Sequence, residues 1–281
     1  MLKSFAKLTK LEHTVFALPF LIASIAILYG SFPEIYKTIV LFLAFISARL
    51  TGMALNRLID LEIDKLNPRM QAEVHVSGEL STSQIKAFTS SMIALFVLSC
   101  AFINIYTLFL SWIVLLALFL YPYAKRYTSY PHFALGVIYF LVPLAVELSL
   151  KEQISIGGIV LGITMASFVS GFDILYALLD RDFDLKYGIG SIPAKYGVKK
   201  ALIISTYLHI LTFISMLFMV FLIETLGSIY TFGVFLSGMI MLYQHSIVKE
   251  NDLSRLNFAF FNLSGMVSIV YMVFSLIDVW L

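Results

Sequence analysis

The sequence predicts an all-α protein, a polytopic membrane bundle of nine transmembrane helices with a cytoplasmic N-terminus. The first observation behind this prediction is composition: 60% of the 281 residues are hydrophobic and 13% are charged, against roughly 25% charged residues in soluble domains. A soluble domain of this size needs a charged surface that such a chain cannot supply. The composition therefore excludes a soluble enzyme, a nucleic-acid-binding protein and a disordered protein, and it indicates that membrane lipid is the main surrounding medium.

The second observation is a series of nine apolar segments. Each is long enough for a helix, rising about 1.5 Å per residue, to cross a hydrocarbon core of roughly 30 Å. They span residues 13–31, 38–57, 86–105, 107–124, 133–150, 154–178, 201–223, 227–247 and 257–280. The third and fourth nearly fuse around Asn104, but a single helix over both would overrun the bilayer. No linker divides the chain, so we expect one integral membrane domain over residues 1–281.

The third observation is the distribution of basic residues. With nine spans and a cytoplasmic N-terminus, 16 of the 19 Lys and Arg residues fall on the cytoplasmic side and two on the other, while Arg49 lies inside the second segment. This asymmetry follows the positive-inside rule. Merging the third and fourth segments would move later basic loops to the wrong side, so the charges favour nine spans.

Two predicted cytoplasmic loops, at about 56–85 and 180–200, are associated with acidic motifs that begin on the preceding apolar segments. The first motif, N-x-x-x-D-x-x-x-D, consists of Asn56, Asp60 and Asp64. The second motif, D-x-x-Y-x-x-x-D-x-x-x-D, consists of Asp173, Tyr176, Asp180 and Asp184. Each contains two aspartates at the i, i+4 spacing that shares one face of a helix.

Paired carboxylates at this spacing repel each other by roughly 3 kcal/mol at about 5.5 Å and an effective dielectric constant of about 20. Protonation, basic neighbours or a divalent cation could offset the repulsion. Mg²⁺ suits such hard oxygen ligands, and it is usually held by one or two carboxylates together with substrate phosphate. The five histidines are far apart in the sequence, which disfavours zinc and haem.

Other interpretations of the acidic residues are a solvated loop, a secondary transporter and a non-catalytic scaffold. Asn56 and Asp173 extend the motifs onto apolar segments, where polar groups are costly and usually functional. A transporter should place ionisable residues near the middle of the bilayer, whereas nearly all acids here lie at one predicted face. A scaffold needs no such cluster of charge.

The two motifs together resemble those of the UbiA superfamily of membrane-embedded prenyltransferases, and the resemblance covers essentially the whole chain. Residues 12–20, 125–128 and 191–195 also resemble the branch that prenylates aromatic acids in quinone synthesis. One departure follows the first motif, where the branch often reads N-P-R-T-x-x-R. Here Met70 and Glu73 replace the Thr and the second Arg. If that Arg usually helps to hold diphosphate, another cation must do so in this chain.

The resemblance implies Mg²⁺-dependent transfer of a polyprenyl chain from an allylic diphosphate to an aromatic acid, 4-hydroxybenzoate or a related naphthoate, in ubiquinone or menaquinone biosynthesis. It implies four metal ligands: Asp60, Asp64, Asp180 and Asp184. Five further residues are implied to assist at the metal or to hold the diphosphate: Asn56, Arg69, Lys125, Arg126 and Lys195. The same fold could instead serve another acceptor, such as haem, a chlorin, a glycerol ether or a sugar phosphate.

Three residues are expected to act on the reacting groups. Tyr176 would stabilise the allylic cation through its ring face, and Asp173 would orient the acceptor or take its proton. Arg49 would bind the acceptor carboxylate, although it could equally snorkel or pair with an acid. The expected location is the plasma (inner) membrane of a prokaryote with the active site facing the cytoplasm. The expected partners are a polyprenyl diphosphate, an aromatic acid and membrane lipid, without nucleic acid.

Overall fold

The computed structural model describes residues 2–10 and 14–280, and there every regular element is a helix apart from one isolated bridge. The all-α prediction is confirmed, while Glu12 and His13 of the resemblance lie outside the described residues. The helices are α1 (Leu2–Leu8), α2 (Thr14–Tyr29), α3 (Ile35–Ile59), α4 (Leu61–Asp64), α5 (Thr82–Ile103), α6 (Ile105–Tyr127), α7 (Pro131–Lys151), α8 (Ile156–Ala177), α9 (Arg181–Tyr187), α10 (Ile192–Phe218), α11 (Ser228–Ile247), α12 (Leu256–Phe258) and α13 (Ser264–Trp280).

Most of the long helices are apolar enough to cross a membrane. Within the described part of the chain, seven helical stretches meet that length and composition, and the shorter apolar helix Ala17–Tyr29 accompanies them. Together with α11, they overlap all nine apolar segments of the sequence. The chain is therefore an integral membrane protein, and the nine crossings and the cytoplasmic N-terminus stay predictions.

Two helix boundaries are informative. Asn104 has an extended backbone (φ −167°, ψ 174°) and ends α5, and its side-chain oxygen accepts the Thr107 N–H at 2.9 Å in the first turn of α6. The predicted separation of the third and fourth segments is therefore correct. By contrast, α10 begins at Ile192 rather than near residue 201, and Gly197 interrupts it with φ 79° and ψ 171°. A positive φ of this size favours glycine, because glycine carries no Cβ.

The chain divides into two compact units. The first consists of residues 34–124 and the described residues before 15. One of its apolar clusters joins Ala44 of α3 to Phe96 and Cys100 of α5, and Val114 of α6 packs against them. A second apolar cluster attaches α1 to the same unit, where Leu8 packs with Ala54.

The second unit consists of residues 15–33 and 125–281. Its central element is α8, which packs against α7 and α10. Close packing depends on small residues, since a Cβ added at Gly171 would lie 2.5 Å from the His209 ring. Helix α2 joins this unit through Phe20, whose ring lies 5.3 Å from that of Phe168. Helix α8 is therefore packed against α2, α7 and α10. This packing holds in place the second acidic motif, which begins on the last turns of α8.

The last apolar segment is interrupted, although the sequence predicts one continuous helix over 257–280. A π-helix, Ala259–Leu263, lies between α12 and α13. The buried side-chain amide of Gln244 donates to the Ala259 carbonyl and to the Ser264 hydroxyl, both at 2.9 Å. The first bond gives the Ala259 carbonyl a hydrogen-bond partner within the π-helix, where the backbone departs from the regular bonding of an α-helix.

Candidate active site

The first motif lies where α3 gives way to α4. Asp60 joins the two helices with φ −92° and ψ 1°, and the Asp64 N–H donates to the Asp60 carbonyl at 2.8 Å. The i, i+4 relation expected from the sequence is therefore kept across the junction. Asp60 is fully buried and Asp64 is 7% exposed. Burial of an ionised carboxylate is costly unless cations or hydrogen-bond donors compensate for the lost water.

Asp64 is held by two basic side chains. His75 Nε2 lies 2.8 Å from Asp64 Oδ2, and Arg57 Nη1 lies 3.6 Å from the same oxygen. His75 is buried, and its Nδ1 has no hydrogen-bond partner among the described residues. Sequence reasoning missed His75, because nothing in its spacing links it to Asp64. The only signal was a single histidine in the loop that follows the first motif.

Three other predicted residues of the first unit differ in placement. Arg49 and Asn56 are seven residues apart on α3, so they share one helix face, and both are half-buried. Arg69 lies on the short 3₁₀-helix Pro68–Met70, is exposed, and donates its backbone N–H to the Asn67 side chain at 3.0 Å. Arg49 and Asn56 therefore lie along the helix that ends in the first motif, whereas Arg69 lies on the loop surface.

The two residues that depart from the resembled pattern have structural partners. Met70 is buried, and the Lys10 ammonium group lies 2.5 Å from the Glu73 carboxylate. Lys10 follows α1, so this ion pair joins the N-terminal helix to the loop of the first motif. Glu73 thus serves as an attachment point for the N-terminal segment.

The second motif follows α8. A 3₁₀ turn, Leu178–Asp180, leads into α9, which ends at Gly188 in the left-handed region. Asp184 is 8% exposed, and the Ser191 hydroxyl donates to its Oδ2 at 2.7 Å. Ser191 is also the N-cap of α10, where its oxygen accepts the Ala194 N–H at 3.3 Å. One hydroxyl group thus begins a helix and orients a motif carboxylate.

Lys125, near the end of α6, lies close to the second motif. Its carbonyl accepts the Gly190 N–H at 2.7 Å, and Asp180 and Lys125 both act electrostatically on Asp184. A Cβ at Gly190 would lie 2.1 Å from the Thr128 carbonyl oxygen. Glycine at position 190 therefore permits the close approach that places the end of α6 beside the acidic residues.

The other two predicted cations of the second unit are exposed. Arg126 follows Lys125 at the end of α6. The Lys195 ammonium group lies 5.0 Å from the ring centroid of Tyr130 and 5.2 Å from that of Tyr196. The hydroxyl groups of these tyrosines hydrogen-bond to each other, which raises the pKa of Tyr130. Lys195 thus contacts aromatic faces at the surface of this unit.

Tyr176 and Asp173 lie on the last turns of α8. The Tyr176 ring stacks on Phe260 at 4.3 Å and meets the edge of Phe261 at 6.3 Å. Both phenylalanines belong to the π-helix. Asp173 Oδ2 lies 2.7 Å from Nδ1 of His132, a buried residue of α7. His132 was also missed from the sequence, since it precedes Asp173 by 41 residues.

The carboxylates fit Mg²⁺ in number and chemistry. In the part of the chain that the structure describes, no three His, Cys, Asp or Glu side chains form a ready metal cluster. Mg²⁺ is commonly held by one or two carboxylates and completes its shell with water and phosphate oxygens, so a full protein cage is not required. Glu62 and Asp182 are exposed and each lies beside a basic neighbour, as expected for acids off the shared faces.

Comparison with known proteins places these features in a family. Residues 17–266 match the UbiA prenyltransferase family. The chain is 27% identical over 190 residues to a 4-hydroxybenzoate octaprenyltransferase from Francisella tularensis subsp. mediasiatica (strain FSC147). That match covers 68% of this chain and 66% of the relative, slightly less than two thirds of its length.

Solved structures share the fold. An apo structure of a UbiA homologue from Aeropyrum pernix K1 is 32% identical, with a TM-score of 0.84 over 95% of this chain and 98% of that one. A UbiA homologue from Archaeoglobus fulgidus, bound to GPP and Mg²⁺, is 16% identical, with a TM-score of 0.75 over 99% of this chain and 100% of that one. The second likeness shows the fold alone, and its ligands are those of that protein.

Proposed function

Because the chain belongs to the UbiA prenyltransferase family, we propose that it transfers a polyprenyl chain from an allylic diphosphate to an aromatic acid. The relative named for 4-hydroxybenzoate makes that acid the first acceptor to test, with a related naphthoate second. The product would enter ubiquinone or menaquinone biosynthesis. The bacterial source of that relative supports a plasma membrane location in a prokaryote, and the positive-inside asymmetry supports a reaction at the cytoplasmic face.

The observation that carries this proposal is the burial of acidic residues at the ends of long apolar helices. Asp60 and Asp64 follow α3, and Asp184 lies on α9 just beyond α8; all three are buried. Buried carboxylates need compensating cations, and an allylic diphosphate with Mg²⁺ unites a charged headgroup with an apolar chain. Acids at helix ends suit chemistry on such a lipid better than the mid-bilayer sites of transporters.

The proposal assigns the four motif carboxylates to metal binding. Asp60 and Asp64 would hold one Mg²⁺ with help from Asn56, and a second would be held by Asp180 and Asp184. When bound, Mg²⁺ offsets the charge of the diphosphate and stabilises the leaving group.

Basic residues would bind the diphosphate oxygens. Lys125 is the preferred candidate, because it acts electrostatically on Asp184. Arg69, Arg126 and Lys195 are exposed and would contribute at the surface, with charge-assisted hydrogen bonds to phosphate oxygens.

The reaction breaks the bond between carbon 1 of the prenyl chain and the diphosphate oxygen, and the electron pair leaves with the diphosphate. An acceptor ring carbon then bonds to carbon 1, and the proton on that ring carbon passes to the Asp173 carboxylate. The Tyr176 ring would stabilise the allylic cation. Since Phe260 covers one face of that ring, the cation would meet the other. Arg49 would bind the acceptor carboxylate.

The test is a product assay on the purified chain in detergent or lipid nanodiscs. The protein would receive Mg²⁺, a polyprenyl diphosphate series and a panel of aromatic acids, with products read by mass spectrometry. We expect a prenylated acid with Mg²⁺ and none when EDTA removes the metal. Heat-treated protein and a reaction without acceptor serve as controls.

The acceptor panel separates the alternatives. A product with haem, a chlorin, a glycerol ether or a sugar phosphate, and none with any aromatic acid, would keep the prenyl transfer and replace the acceptor. Absence of a prenylated product across every acceptor class would contradict the enzymatic proposal, and substrate flux into liposomes containing the protein would then favour a transporter.

A further inference from the structure

We propose that His132 is a positioning residue for the acceptor step: it holds the Asp173 carboxylate in the orientation that receives the ring proton. This inference rests on the proposed function, because it assigns a partner to the base of that reaction. His132 is not part of either acidic motif and lies on α7, whereas Asp173 lies on α8.

The hydrogen bonds of His132 define its protonation state. Its Nε2 lies 3.3 Å from the backbone nitrogen of Ile192, which can only donate. Nε2 must therefore be the unprotonated acceptor, so the ring is neutral and its proton lies on Nδ1. Nδ1 is 2.7 Å from Asp173 Oδ2, so the imidazole donates to the carboxylate. This geometry keeps Asp173 an acceptor and fixes the direction of its oxygens.

The backbone of His132 is held as firmly as its ring. Ser170 on α8 donates its hydroxyl hydrogen to the His132 carbonyl at 3.0 Å, and the imidazole is buried. One side of the residue therefore bonds to Ser170 and Asp173 on α8, and the other side meets the first residue of α10. Because these contacts restrain the ring, it can fix the orientation of the Asp173 carboxylate. Groups that hydrogen-bond to metal ligands orient those ligands in the same way.

The same helix start also serves the second motif. Ser191, directly before Ile192, donates to Asp184, while the Ile192 N–H donates to His132. The first residues of α10 thus connect the carboxylate proposed to bind metal with the carboxylate proposed to take the proton.

Two amide variants separate the two bonds of the ring. The side-chain nitrogen of Asn replaces Nδ1 in position, whereas the amide of Gln reaches the position of Nε2. His132→Asn therefore keeps a hydrogen-bond donor to Asp173. His132→Gln keeps a side-chain amide beside the Ile192 N–H but loses the donor to Asp173. His209→Asn is the matched control, because His209 is another buried histidine and bonds through Nδ1 to His245 at 2.8 Å, outside both motifs.

Steady-state kinetics on the full-length protein in nanodiscs test the inference. His132→Ala should lower kcat by about 10- to 100-fold, the usual range for loss of a partner behind a functional group. The KM for the prenyl diphosphate should change far less than kcat, since His132 hydrogen-bonds to Asp173 and to the start of α10 but to no residue proposed to bind metal or diphosphate. His132→Asn should recover most of kcat, and His132→Gln should resemble His132→Ala. His209→Asn, which alters a buried histidine without a hydrogen bond to either motif, should keep kcat near the wild-type value.

Several results would overturn the inference. An equal loss of kcat in His132→Asn and His132→Ala would show that the hydrogen bond to Asp173 is unimportant for turnover. A change confined to the KM for the prenyl diphosphate would show the same. In an Asp173→Asn background His132→Ala should have little further effect, and multiplicative losses would contradict the coupling. If His132→Ala fails to fold in a thermal-shift assay, the Asn and Gln pair decides.

The wild-type protein separates this inference from the proposed function. A wild-type chain without product on any acceptor defeats the proposed function itself. An active wild-type chain with indistinguishable Asn and Gln variants defeats only the role of His132.

Discussion

The two acidic motifs have the same D-x-x-x-D spacing, yet the chain supports them in different ways. In the first motif, the hydrogen-bond partner of Asp64 is His75 from the loop that follows, and Arg57 of α3 forms an ion pair with the same carboxylate. In the second motif, the partner of Asp184 is Ser191 at the start of the next helix, and Asp173 is held by His132 on a neighbouring helix.

The contrast shows that two motifs with the same sequence pattern can be held in place by different kinds of neighbouring residue. In the first loop, His75 hydrogen-bonds back to Asp64, and Glu73 forms an ion pair with Lys10 of the N-terminal segment. The second motif is attached to the rest of its unit at both ends: Asp173 hydrogen-bonds to His132 on α7, and beyond Asp184 the Gly190 N–H donates to the Lys125 carbonyl. We infer that disturbance of the first loop affects mainly the metal, whereas disturbance of the second also reaches the acceptor step.

The largest expected effect tests whether the motifs are equivalent. Asp60→Asn and Asp180→Asn should each lower kcat/KM by about 1000-fold or more, because a metal supplies several kcal/mol to the transition state and about 4 kcal/mol corresponds to 1000-fold. The measurement is turnover at saturating Mg²⁺. Asp182→Asn, at an exposed position, is the control and should change turnover less than about twofold. Substantial turnover in only one aspartate variant would mean that the motifs have unequal roles.

The next prediction separates the two histidines. His75→Ala should raise the Mg²⁺ concentration for half-maximal activity by about 10- to 100-fold, because it removes the partner of a carboxylate proposed to bind metal. His132→Ala should leave that concentration unchanged and lower kcat. Mg²⁺ titrations of both variants measure the difference, and equal Mg²⁺ dependence would remove the distinction between the loops.

Two helix N-caps offer a matched pair. Ser81 caps α5 after the first loop, and Ser191 caps α10 after the second. Either Ala substitution should cost about 1 kcal/mol of stability. Only Ser191→Ala should also lower kcat/KM, by about 10-fold, because it removes a hydrogen bond to the charged Asp184 that contributes about 1.5 kcal/mol. Thermal unfolding and turnover of the two variants provide the comparison; an equal loss of activity in Ser81→Ala would contradict it.

The smallest effect concerns the attachment of the N-terminal segment. The Lys10–Glu73 ion pair is partly exposed, so it should contribute only about 0.2 to 1 kcal/mol. A double-mutant cycle of Lys10→Ala and Glu73→Ala, read by thermal unfolding, measures that coupling. Turnover should barely change, and a large loss in Glu73→Ala would show that Glu73 also acts at the diphosphate.

Much of the fold and the local form of the motifs follow from the sequence. Apolar length and the position of basic residues predict the helices, and helical spacing predicts that Asp60 and Asp64 occupy one turn. The separation at Asn104 also follows, because a longer helix would exceed the bilayer. These features depend on residues close together in the chain, where periodicity is informative.

The partners of the motif residues do not follow from the sequence. His75 and His132 reach Asp64 and Asp173 through loop closure and helix packing, and no local pattern encodes those contacts. The early start of α10 was also missed, because its first turns are polar and Gly197 interrupts it. Such features arise from tertiary contacts, which override local preference.

The π-helix determines where a residue can be removed from the last apolar segment. A π-turn closes i→i+5 rather than i→i+4 bonds, so it holds one residue more than an α-turn. Deleting one residue from Ala259–Leu263 should therefore restore a regular α-helix and leave the same face of α13 towards the interior, where the Tyr271 hydroxyl lies 2.9 Å from that of Tyr230. A single deletion within α13 before Tyr271 should instead rotate that side chain by about 100°, out of the interior and towards lipid.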